Sequence, residues 1–397
     1  MVHLIAGSAF TVILLVIAWA FVAAVLSDKL RLSYTTILIV IGFALSFVSV
    51  PLGLHDLPLD RDIMLGLVVP PMIFEAAMRT RYEVFRTVHR TVFALAIFGV
   101  IVSALVSAAV LLIGLGLPLV AALTFGVIVS PTDPVSVVNL LKRVRAPERL
   151  TTILESEAYF NDATAVILYS VVLSFSASPV QSIGLFAYTF GGGVLVGLLV
   201  SAIAELLYRP VTEPLAETTF TMVVMFGSYA LAETLEVSGL VAVAIAGLYM
   251  GNRTMRVAMS DKTRETLTTF WEIATFMATS VAFLLLGLKA DLWLLFTYAP
   301  LIIAAFLAIL VSRVVSVYPI VGLTNLAGEK IPSSWTKVLA MAGLRGAVSV
   351  ALALSLPESP FKETVVAMTF GVAILSLIVQ GELLQIRLRK MRLVESS

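Results

Sequence analysis

The segment VSPTDPVS, residues 129–136, sets an aspartate between two prolines at the end of an apolar run. Pro131 and Pro134 lack amide hydrogens, so a helix running through them leaves the carbonyls of Val127 and Ser130 without their usual partners. In lipid, such carbonyls are tolerated only where they line a hydrated cavity or meet a partner. Together with the Asp133 carboxylate and the oxygens of Thr132 they form a small set of hard oxygen donors, the kind that hard cations favour. A proline kink carrying an incidental acid is the plainer alternative.

Two more stretches carry groups of the same kind. ESEAYFNDATAV, residues 155–166, places Glu157 and Asn161 on nearly one helical face, and Ala158 and Asp162 on a second face about 100° around. One face can brace the structure while the other turns a carboxylate to a cavity. GLRGAVSVALAL, residues 343–354, sets Arg345 between Gly343 and Gly346, which let backbone approach closely or unwind, and Arg345 reads as the basic partner of the acids at that depth. With Glu75, the ionisable residues deep inside apolar runs are Glu75, Asp133, Glu157, Asp162 and Arg345. At about 2.5–3.5 kcal/mol each for insertion at a helix centre, the set approaches roughly 12–18 kcal/mol. That rivals the whole net stability of a fold, about 5–15 kcal/mol. Such groups persist only where they pair, stay hydrated or are needed. A salt-bridge cluster that merely ties helices together is the structural alternative.

The elements that must position these groups are membrane helices. Of 397 residues, 60% are hydrophobic and 13% charged, and mean hydropathy is +1.05, which excludes a soluble chain of this size. Net charge is +1, so no nucleic-acid partner is implied. There is no cysteine, hence no disulfide or thiolate metal site, and His3, His55 and His89 fall in or near predicted loops. The run Leu4–Leu26 is too long for a signal-peptide core and lacks a basic leader, so it reads as a retained span.

Spans of about 20 residues are predicted near Leu15, Phe43, Pro70, Val102, Ile128, Val166, Val196, Val224, Ala244, Ala278, Ala305, Gly346 and Ala373, thirteen in all. The positive-inside rule fits an outside N-terminus and a cytoplasmic C-terminus. Lys29, Arg31, Arg79, Arg81, Arg86, Arg90, Lys142, Arg143, Arg145, Arg149 and Arg209 then lie inside, as do Arg253, Arg256, Lys262, Arg264, Lys330, Lys337 and the tail group through Arg392. Only Arg61, Lys289 and Lys362 lie outside, while Arg313 and Arg345 fall within spans.

At 1.5 Å rise per residue, Asp133, Asp162 and Arg345 all converge near the midplane. No soluble domain is expected: residues 1–397 form one transporter domain, with approximate halves 4–175 and 220–386 joined by the span 183–207. The odd number of spans between the fifth and twelfth would invert one six-helix half relative to the other. The fold class expected is therefore an all-α polytopic membrane protein, with broken fifth and twelfth spans that cross. GxxxG spacings at Gly193–Gly197 and Gly247–Gly251 predict close helix packing, with a dimer contact as the alternative.

SPTDP in the fifth span, E-x-x-x-N-D in the sixth, PPMIFEAAM (residues 70–78) in the third and GLRGAVS in the twelfth together resemble the sodium–proton antiporters of the cation:proton antiporter superfamily. The likeness is to the electroneutral Asn-Asp branch, whose archaeal and bacterial members have thirteen spans, and it runs over essentially the whole chain. It implies a homodimer, each subunit having an interface region and a moving core, in the cell membrane. It also implies that Asp162 binds either cation or proton, with Asp133 and the Thr132 carbonyl as further Na+ ligands. Glu157 would pair with Arg345, Glu75 would hydrogen-bond Asn161, and Arg345 and Asp133 would compensate the dipoles of the broken helices.

One position departs from the family pattern: where a ligating serine commonly follows the glutamate, this chain has Ala158. A cytosolic C-terminal regulatory domain, common in the family, is not expected.

The function expected is exchange of Na+, with Li+ as a further candidate, for H+ by alternating access, one for one and without enzymatic chemistry. No cofactor or nucleotide is implied, since no GxxxxGK[ST] loop occurs. A K+/H+ antiporter on the same scaffold is the nearest alternative. An intramembrane aspartyl protease using Asp133 and Asp162, or a passive channel, is more remote.

Overall fold

A computed structural model of the chain is all-helical. It describes residues 2–30, 32–47, 61–133, 137–138, 141, 144–174, 179–208, 213–257, 259 and 261–390. Of the residues singled out from sequence, Arg31, His55, Pro134, Lys142, Arg143, Arg209 and Arg392 lie outside these.

The helices are α1 (Val2–Leu30), α2 (Tyr34–Ser46), α3 (Val69–Arg79), α4 (His89–Leu115), α5 (Leu119–Ile128), α6 (Glu148–Ser174) and α7 (Pro179–Tyr208). They continue with α8 (Pro214–Thr234), α9 (Gly239–Tyr249), α10 (Asp261–Leu288), α11 (Ala299–Leu326), α12 (Ser333–Met341), α13 (Ala347–Leu354) and α14 (Lys362–Leu388). Among the described residues, α4, α7, α8, α10, α11 and α14 contain stretches long and apolar enough to cross a membrane. Large apolar side chains such as Phe21, Phe98, Ile113, Leu195, Leu206 and Ile303 are exposed, as a lipid-facing surface requires. The protein is a multi-pass membrane protein.

Local chemistry sets the helix ends. Ser33 Oγ accepts from the Thr36 amide at 3.1 Å to start α2, and Ser238 Oγ accepts from the Val241 amide at 3.3 Å to start α9. Glu329 acts across the fold in the same way. Its carboxylate accepts from the amides of Arg90 and Thr91 at 2.8 and 2.9 Å, satisfying donors in the first turn of α4.

Packing divides the helices into two groups. In one, α2 lies along α10, α3 against α9 and α10, and α7 and α8 against α9. In the other, α4 packs on α5 and α11, α11 on α12 and α14, and α13 on α14. The helix α6 touches both, through α4 and α5 on one side and α3 and α9 on the other. Both GxxxG pairs serve contacts within the chain. A methyl at Gly193 would come within 2.7 Å of the Ser238 carbonyl of α9's cap, and one at Gly247 within 2.6 Å of the Phe74 carbonyl of α3.

Candidate functional site

Two interrupted helices meet where the packing groups face each other. The first interruption follows α5. Ser130 turns back on the last turn, donating to the Val127 carbonyl through its amide at 3.2 Å and its hydroxyl at 2.7 Å. Pro131 has no amide to continue the ladder, and residues 130–133 leave the helix. The second interruption separates α12 from α13, with residues 342–346 non-helical. Gly346 is extended (φ −135°, ψ −153°) and caps α13.

The interruptions are bonded to each other. The Asp133 amide donates to the Leu344 carbonyl at 2.8 Å. Arg345 Nη1 donates to the carbonyls of Ser130 at 2.9 Å and Pro131 at 3.1 Å, so a fixed cation sits at the carboxyl end of α5. The Arg345 amide donates to Ser376 Oγ at 3.0 Å, and Gln380 Nε2 donates to the Met341 carbonyl at 2.8 Å. Ser376 and Gln380 bound a π-helical turn of α14, a widened turn of the kind common at functional sites. At Gly346 the backbone approach is close: a methyl there would lie 2.6 Å from Asp133 Cβ.

A cavity of about 20 Å³ opens beside this crossing. One water needs roughly 10–15 Å³, so the space suits a single water or a small ion. Its wall includes Ile73 and Ala76 of α3, Thr132 and Asp133, Tyr159 and Asp162 of α6, and Gly346 and Ser349. Asp162 is 8% exposed and has neither a hydrogen-bond nor an ion-pair partner among the described residues. Thr132 is tied to α6: its amide donates to Asn161 Oδ1 at 3.3 Å, and Asn161 Nδ2 donates to Thr132 Oγ1 at 2.9 Å.

Asp133, Asp162, Thr132, Asn161, Arg345, Pro131 and Gly346 are thus brought together. Pro134 lies outside the described residues, and Gly343 stands one step back, where a methyl would meet the Arg313 side chain at 3.2 Å.

Three expectations are corrected. Glu157 pairs with Arg313 of α11, not with Arg345, through bonds of 2.5 and 3.0 Å. Arg345 is drawn instead to the freed carbonyls of α5. Glu75 pairs with Arg79 one turn on, at 2.6 Å, and the Asn161 amide bonds Thr132 through both its oxygen and its nitrogen. Finally, the carbonyls of Val127 and Ser130 meet protein donors, from Ser130 and Arg345, and neither residue is among those of the cavity wall.

Arg313 was the residue that sequence reasoning left without a role. Its signal was a cation in the middle of the apolar run of α11. Ala158 is buried in α6 and is not among the residues of the cavity wall.

Residues 13–390 match the family model described as sodium/hydrogen exchanger, transmembrane. The chain is 33% identical over 376 residues to the Na+/H+ antiporter ApNhaP of Aphanothece halophytica, covering 92% of this chain and 70% of that one. It is 34% identical over 393 residues to the Na+/H+ antiporter NhaS2 of Synechocystis sp., covering 97% and 71%. The solved sodium proton antiporter MjNhaP1 from Methanocaldococcus jannaschii superposes with a TM-score of 0.77 at 23% identity, over 96% of this chain and 98% of that one.

Proposed function

Because the chain belongs to the transmembrane sodium/hydrogen exchanger family, and is a Na+/H+ antiporter rather than an enzyme, we propose that Asp162 is where the two ions compete. The observation that carries this is its carboxylate on the cavity wall, without a hydrogen-bond or ion-pair partner among the described residues, beside Asp133. A buried carboxylate must be neutralised before it can cross the low-dielectric interior. Here the available means are a bound cation or a proton. The loaded site can move in either form and the empty charged site cannot, so inward movement of one ion is tied to outward movement of the other.

Asp133 and Thr132 complete the oxygen set around the Na+ ion. Arg345 holds the two interruptions in register, and the Glu157–Arg313 pair and Asn161 brace α6. Alternating access follows from relative movement of the two packing groups, whose boundary carries the cavity. One carboxylate changing hands between one Na+ and one H+ gives electroneutral one-for-one exchange, as in the Asn-Asp branch.

The same reading extends to architecture. Thirteen spans arranged as two inverted six-helix repeats, 4–175 and 220–386 about the span 183–207, would pair the α5 interruption with the α12–α13 interruption. The bond from Asp133 to Leu344 supports that pairing. The distribution of basic residues supports an outside N-terminus and a cytoplasmic C-terminus in the cell membrane, and the family likeness supports a homodimer. Purified protein in liposomes with an imposed proton gradient tests the function. Na+, and Li+ with it, should drive proton movement at lower concentration than K+; K+ preferred over Na+ would overturn the assignment.

A further inference from the structure

Ser349 is the third residue of α13, 1% exposed, and it lies on the wall of the cavity that Asp133 and Asp162 share. Its Oγ has no hydrogen-bond partner among the described residues. Buried hydroxyls are normally satisfied, and this chain shows how. Ser201, Ser228, Ser312 and Ser376 each donate back to a helical carbonyl three or four residues earlier. For Ser349 those carbonyls belong to Arg345 and Gly346, in the non-helical stretch before α13. The Gly346 carbonyl accepts instead from the Val350 amide at 3.4 Å, and the Ser349 hydroxyl is left without a local bond on the cavity wall.

We propose that Ser349 Oγ is a ligand of the transported cation and a determinant of ion preference. The inference rests on the reading of Asp162 as the exchange site. Two carboxylates supply charge, and a neutral hydroxyl on a short side chain of α13 supplies a hard oxygen on the same cavity wall. Among the described residues no other hydroxyl on that wall is free in this way: Thr132 Oγ1 is bonded to Asn161, and the Tyr159 hydroxyl donates to Ser156 Oγ. A small cavity with one more hard oxygen favours Na+ and Li+, which must be recompensed for a tightly held hydration shell, over the larger K+.

The test is the half-maximal cation concentration for exchange in liposomes, measured across a range of pH for wild type, Ser349→Ala, Ser349→Thr and Asp162→Asn. Ser349→Ala should raise the constants for Na+ and Li+ about two- to twelvefold, the scale of one lost hydrogen-bond-class contact, by the same factor at every pH. K+ should change less, and Ser349→Thr, which keeps the hydroxyl, should recover most of the loss. Ser349→Cys, measured alongside, leaves no cavity where the hydroxyl stood but offers a soft sulfur, so it should behave as the alanine does and guards against a packing defect.

A Ser349→Ala protein with unchanged Na+ and Li+ constants overturns the inference while leaving the site reading intact, provided Asp162→Asn is inactive. A shift of the pH midpoint with the high-pH Na+ constant unchanged also overturns it, since the hydroxyl would then be positioning the Asp162 carboxylate. Exchange persisting in Asp162→Asn would instead remove the site reading itself.

Discussion

The Arg313 guanidinium lies bidentate on the Glu157 carboxylate, at 2.5 and 3.0 Å, with side chains 5% and 1% exposed. Arg313 Nε also donates to the Leu339 carbonyl at 3.2 Å, so one side chain joins α6, α11 and the end of α12. Removing one member of a buried pair leaves the other charge uncompensated, typically at about 3–5 kcal/mol. Arg313→Ala is predicted to lower thermal stability accordingly, and Arg313→Met with Glu157→Leu to recover part of the loss. Melts showing strictly additive single and double substitutions would mean that the pair is not coupled.

Arg345 should behave differently. Its partners are backbone carbonyls, and hydrogen bonds to a charged group contribute about 1.5–3 kcal/mol each. Arg345→Ala is predicted to destabilise the protein and to impair exchange, because the end of α5 loses its fixed cation. Arg345→Lys should restore charge, but its ammonium lacks the planar guanidinium that sets Nη1 between both carbonyls, and so only partly rescue. Substituting Glu157 alongside should give no recovery. A double-mutant cycle in which Glu157 couples to Arg345 as strongly as to Arg313 would contradict this.

What could be read from sequence divides by kind. Charges and prolines within apolar runs mark the interruptions and place Asp133, Asp162 and Arg345 at one depth, because helical rise converts residue count into position. Depth says nothing of direction around a helix, and that is where the reading of Glu157 failed. Arg313 and Arg345 both lay within spans, and only packing of α11 against α12 settles which one reaches α6. The Glu75–Arg79 pair was legible as an i, i+4 spacing, yet the family likeness drew attention to Asn161 instead. The open hydroxyl of Ser349 could not have been read from sequence, since it depends on where α13 begins.

Gly346 and Gly343 offer a graded test of the crossing. A methyl at Gly346 would lie 2.6 Å from Asp133 Cβ and 3.1 Å from its Oδ1, against 3.2–3.4 Å from the Arg313 side chain at Gly343. Gly346→Ala is predicted to cost about 1–3 kcal/mol in overpacking and to weaken cation binding by displacing Asp133. Gly343→Ala should be milder on transport, since a side chain rather than the site must yield. Thermal melts and half-maximal Na+ concentrations check both, and equal effects on transport would count against the close approach.

Exchange is predicted to be electroneutral, because Glu157 is balanced by Arg313 and Asp162 alone changes its bound ion. A valinomycin-imposed potential should then leave the sodium-driven proton flux without a net electrical driving force. A flux whose direction a potential alone can reverse would require a second proton carrier, with Asp133 and Glu75 the first to examine.

The central claim is that Na+ and H+ compete for the Asp162 carboxylate. Asp162→Asn keeps nearly the same shape in the cavity but cannot alternate between proton and cation. Sodium-driven proton exchange in liposomes should be lost in this variant while its thermal melt stays close to wild type or rises, since an uncompensated buried charge has been removed. Coupled exchange at near wild-type rate in a well-folded Asp162→Asn protein would contradict the account.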